Sequence, residues 1–112
     1  MNDETQKKMQ ELSSLENTSN QITAQKQNLQ TQILEIDSAL SELKSSKEVY
    51  KIIANVMVKS SEDALSQALT KRKEVINSRL KSLDAQEQKI AQRAQELHSQ
   101  IMEDLKGGED ES

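Results

Sequence analysis

The sequence predicts an all-α-dominated fold: one long antiparallel two-helix coiled coil, joined by one short β-hairpin. Three observations predict it. Residues 5–47 and 61–106 hold no glycine or proline and carry aliphatic side chains at heptad spacing. Between them, residues 49–59 are dense in β-branched side chains. The composition excludes the alternatives. Hydrophobic residues are 33% of 112, with one tyrosine and no phenylalanine or tryptophan, against roughly 45–50% apolar in an average domain. A compact core of ordinary thickness is not expected. Disorder is not expected either, because charged residues are 30% but the net charge is only −4, and disordered chains combine low hydropathy with high net charge.

The first helix, about 5–47, has Leu15, Ile22, Leu29, Ile36 and Leu43 at successive d positions. Its a positions are Leu12, Ser19, Lys26, Ile33, Leu40 and Lys47, a mixture of apolar and polar. The middle segment, Val49 to Lys59, alternates as two short strands about Ala54-Asn55. One face holds Val49, Lys51, Ile53, Val56 and Val58; the other holds Tyr50, Ile52, Met57 and Lys59. A lone two-stranded hairpin is marginal in water and leaves two open edges. This one is apolar on both faces near the turn, so Val49, Tyr50, Ile52, Ile53, Val56, Met57 and Val58 are expected to form an oligomer interface.

The second helix, about 61–106, has Leu69, Ile76, Leu83, Ile90 and Leu97 at d. Ser66, Lys73, Leu80, Glu87, Ala94 and Ile101 take a. Ser60-x-x-Asp63 resembles a capping box at its start, and Gly107-Gly108 is expected to stop it, as glycine does past a helix end. Residues 107–112 are then a flexible acidic tail of one domain spanning 1–112. From Glu103 to Ser112 there are five acids and one base, the whole net charge of −4.

Two arms of nearly equal length and a short connection argue for a hairpin of helices, each ~65–70 Å long at 1.5 Å per residue. Folding about the midpoint pairs residues whose numbers sum to about 109: Leu12 with Leu97, Leu15 with Ala94, Ser19 with Ile90, Ile33 with Ile76. A one-residue slip would destroy the match of d aliphatics to facing a residues.

Several chemistries are excluded. No basic run exists, so nucleic acid is a poor partner. With no cysteine there is no disulfide framework or thiolate metal site, which fits a reducing compartment. Met1 to Lys8 is polar and followed by no apolar run, so neither signal peptide nor anchor is expected. The longest apolar stretches are too short to span a bilayer. Both glycines are adjacent and near the end, so no phosphate-cradling loop, nucleotide or other cofactor is expected. The only histidine, His98, is expected on the surface beside the seam, and the carboxylates lie on solvated faces. No enzyme is expected.

Helix, short apolar hairpin and helix at this length resemble the beta class of the prefoldin family. The residues that carry the resemblance are Val49-Tyr50-Lys51, Asn55-Val56-Met57-Val58, Gln21-x-x-x-Gln25-Lys26-Gln27 and Leu80-x-x-Leu83-x-x-Gln86-Glu87-x-x-Ile90. One departure is Ala54 at the turn, where glycine is usual; a two-residue turn, a four-residue loop and an adjusted register all stay open. The resemblance implies a cytoplasmic, ATP-independent holding chaperone built as a hexamer of two alpha and four beta subunits. It implies a β-barrel platform, coiled coils that hold non-native proteins at their tips, and delivery to a group II chaperonin. A structural or adaptor subunit of a prefoldin-like scaffold is the alternative. On the residues themselves, the tip combines both chain ends. Leu12 and Ile101 lie there on the seam and Met9, Met102 and Leu105 off it, which makes these five the candidate client-binding residues.

Overall fold

The computed structural model describes residues 2–45, 49–53 and 56–111. Helix α1 runs from Asp3 to Ser45 and helix α2 from Glu62 to Glu111. Between them strands β1 (Val49–Ile53) and β2 (Val56–Ser60) pair antiparallel. Ile53 lies opposite Val56, Lys51 opposite Val58 and Val49 opposite Ser60, so each pair of numbers sums to 109. The turn at Ala54-Asn55 lies outside the described residues, as do residues 46–48.

Each helix start is capped by a side-chain oxygen, which satisfies an amide that has no partner within the helix. Asn2 Oδ1 accepts from the Thr5 amide at 2.8 Å. At α2 the cap is Ser61, whose Oγ accepts from the Ala64 amide at 3.1 Å. This corrects the expected cap at Ser60. Strand β2 extends through Ser60, which is still in the extended ladder opposite Val49, so the next serine takes the cap. Asp3 and Glu4, and Glu62 and Asp63, occupy the first turns, where carboxylates suit the positive end of the helix dipole.

A second correction concerns the end of α2. The helix does not stop at Gly107-Gly108 but continues to Glu111, so residues 107–111 are helical rather than a flexible tail. Glycine ends a helix when it adopts the left-handed conformation. Gly107 keeps a helical backbone instead, at a cost of about 1 kcal/mol relative to alanine.

By contacts the chain divides into two compact units. In a pair of helices each residue meets only neighbours at its own level, so contacts group along the chain. The hairpin unit, Lys26–Lys81, buries Ile36, Leu43 and Ile76, all at d positions. Lys73 Nζ donates to Asp37 Oδ1 at 2.6 Å across its helices. Leu34 and Val75 stand off its seam, each 69% exposed. The terminal unit, Met1–Gln25 with Ser82–Ser112, buries Ile22, Leu83, Leu97 and Ile101.

Candidate functional site

The end of the terminal unit is closed by polar residues in core positions. Counting the heptad back from Leu12 and Leu15 puts Thr5 at a and Lys8 at d; counting on from Leu97 puts Asp104 at d. Thr5 is 2% exposed. Its hydroxyl lies 2.8 Å from Asn2 Oδ1 and 3.1 Å from Asp104 Oδ2, with one proton to give. Lys8 Nζ donates to the same Asp104 oxygen at 2.9 Å. Lys8 therefore, with Thr5 assisting, holds the Asp104 carboxyl below its ordinary pKa, against some loss of hydration. The pairing of Thr5 with Asp104 keeps the sum of 109, in a layer that is polar on both sides.

In an antiparallel helix pair, positions e and b of both helices share one flank, and g and c share the other. The g/c flank carries charge. Arg93 Nε and Nη2 donate to the two oxygens of Glu11 at 2.9 and 3.2 Å, and Nη1 reaches Glu96 at 3.3 Å. That guanidinium holds the Glu11 carboxyl below its usual range, and Glu11, then Glu96, raise Arg93.

The e/b flank carries apolar surface. Met9 and Leu105 are at e and Met102 at b, and they are 42%, 38% and 57% exposed. Further along the same flank lies a groove of about 610 Å³, with Leu15, Ile90, Ala91 and Ala94 as its apolar lining. Its cause is in the sequence. The a residues facing Leu15 and Ile90 are Ala94 and Ser19, too small to fill two successive layers.

The structure thus separates the five candidate tip residues. Met9, Met102 and Leu105 are exposed on one flank, Leu12 is half-buried, and Ile101 is 6% exposed within the seam. Ile101 closes the core beside Leu97, and its side chain is covered. Sequence reasoning missed Thr5, Lys8 and Asp104 because a search for aliphatics stops at Leu12. Of the interface candidates, Val49, Tyr50, Ile52 and Ile53 lie on β1 and Val56, Met57 and Val58 on β2. His98 is exposed at an e position. Among the described residues no His, Cys, Asp or Glu cluster could hold a metal ion, and no helix is long and apolar enough to cross a membrane.

Paired long helices with an apolar flank place the chain in the coiled-coil class of proteins. The comparisons make the class specific. The family described as prefoldin subunit matches residues 6–108. The chain is similar to the prefoldin subunit beta of Thermococcus kodakarensis, 32% identical over 88 residues, covering 76% of this chain and 75% of that one. Its similarity to the prefoldin subunit beta of Pyrobaculum calidifontis is 30% over 112 residues, covering 88% and 90%. Among solved structures, the crystal structure of the prefoldin beta subunit from Thermococcus strain KS-1 superposes with a TM-score of 0.86 at 29% identity, covering 93% and 94%. The chain belongs to the prefoldin family, as a subunit of that non-enzymatic chaperone class.

Proposed function

We propose that this protein is a beta-type subunit of a hetero-oligomeric holding chaperone that captures non-native proteins without nucleotide. The observation that carries the reading is the clustering of Met9, Met102 and Leu105, exposed together on one flank of the terminal unit. Large apolar side chains on water-facing helix positions cost solubility unless they meet a partner. Methionine is flexible and polarizable, so it adapts to unrelated apolar surfaces. No single contact of this kind is strong. Several subunits presenting such ends to one client raise the effective affinity by multivalency.

Assembly is assigned to the hairpin, through strand addition to neighbouring subunits, in a complex of two alpha-type and four beta-type chains. Delivery to a group II chaperonin, which supplies the ATP-dependent step, and action in the cytoplasm complete the reading. The test is dilution of a denatured client into buffer with the assembled complex and no nucleotide, followed by light scattering. Suppression at a near-stoichiometric ratio is expected. A purely structural or adaptor subunit leaves the scattering at the level of client alone.

A further inference from the structure

We propose that Met9 and Met102 form a reversible oxidation site: peroxide converts both thioethers to sulfoxides, which ends client capture while the helix pair stays folded. The proposal rests on the capture reading above and adds a control to it. Met9, Met102 and Leu105 are the exposed large apolar side chains at this end of the flank, and two of the three carry an oxidisable sulfur. The chain has no cysteine or tryptophan to compete for the oxidant, so methionine is its most readily oxidised side chain.

Position decides what the reaction does. Peroxide reaches a sulfur that water reaches, and Met9 at e and Met102 at b are both outside the seam and open to solvent. From Thr5 to Asp104 no a or d position of either helix holds methionine, and the apolar ones are leucine, isoleucine and alanine, which peroxide leaves alone. Oxidation therefore changes the flank and spares the packing. In the step, the sulfur lone pair attacks one oxygen of hydrogen peroxide. An S–O bond forms as the O–O bond breaks, and the proton on the transferred oxygen passes to the departing hydroxide, giving water. Sulfur is oxidised and the peroxide reduced. The sulfoxide is polar and stays hydrated, which leaves Leu105 as the apolar contact among the three. Several arms lose their contacts together, so a multivalent hold falls further than any single contact does. A thiol-dependent sulfoxide reductase returns the thioether, with the oxygen leaving as water and two thiols joining as a disulfide.

The test exposes the assembled complex to hydrogen peroxide, removes the peroxide with catalase, and then dilutes in a denatured client. Peptide mapping by mass spectrometry is expected to show about 16 Da gained at both Met9 and Met102, at rates within about tenfold of free methionine. Circular dichroism and native mass spectrometry are expected to show helicity and assembly unchanged. The amount of complex needed for half suppression of light scattering is expected to rise at least about fivefold. Reductases for the two sulfoxide epimers are expected to bring it back. A complex with Met9→Leu and Met102→Leu keeps apolar side chains of similar volume and is read only as treated against untreated; its curve is expected to shift less than about twofold under the same exposure. Slower oxidation at either residue, unchanged suppression with both oxidised, a shift that the leucine variant shares, or no recovery after reduction overturns the proposal. If the untreated wild-type complex suppresses aggregation in those cases, the capture reading stands and only the oxidation site is wrong. If the untreated complex suppresses none, both fall.

Discussion

Replacing Leu97 with alanine tests the seam where the structure describes it as tightest. Leu97 is 0% exposed and sits at d, level with Leu12. The substitution removes three carbon groups from a covered position, and at ~0.8 kcal/mol each the transfer loss is roughly 2.4 kcal/mol. A cavity adds to this where the surroundings cannot close, giving the general range of about 2–5 kcal/mol for such changes. A two-helix pair near its open end can partly collapse, so a value of about 2–3 kcal/mol is expected. Met102→Ala is the matched control: at 57% exposure it should cost about 0.5 kcal/mol or less, as surface changes do. The assay is urea unfolding followed by circular dichroism at 222 nm, at one fixed protomer concentration because assembly contributes to stability. Equal costs for the two variants would refute the assignment of Leu97 to the core and Met102 to the surface.

Gly107→Ala should stabilise α2 by up to about 1 kcal/mol, since a Cβ there meets nothing within 4 Å; a loss of stability would place Gly107 at a left-handed helix stop instead. Asp104 and Glu11 both have carboxyls held below their ordinary values in the folded state. Their contribution is therefore full above the usual carboxylate range and is lost as the pH falls through it and below. Asp104→Asn should flatten the acid limb of a melting-temperature profile, and an unchanged limb would remove the Lys8–Asp104 pair from the account. Ile53→Asp with Val56→Asp, at paired positions of β1 and β2, should abolish the oligomer in sedimentation while the helical signal persists. An intact complex would move the interface away from the hairpin.

Much of the molecule is legible in its heptads, because aliphatics at d recur every seventh residue and a facing register follows from their count. The sum of 109 obtained from Leu12 and Leu97 also holds for Ile53 with Val56 and for Thr5 with Asp104. The polar closing layer is less legible. Thr5, Lys8 and Asp104 occupy core positions without apolar side chains, so only extending the count by one heptad reveals them. The cap at Ser61 depends on how far β2 extends, which two adjacent serines do not show. Gly107-Gly108 carries the composition of a stop but not its backbone conformation, which is set locally and not by residue type alone. The groove was within reach of the sequence: the register already placed Ala94 against Leu15 and Ser19 against Ile90, two layers with too little volume.

The most direct test of the central claim is client capture by a complex whose beta-type subunit carries Met9→Ser, Met102→Ser and Leu105→Ser. All three residues are exposed, so folding and assembly should be retained, which native mass spectrometry checks in the same sample. Light scattering from a diluted, denatured client should then rise to near the level without chaperone. Full suppression by the intact triple variant would contradict the claim that these side chains hold the client.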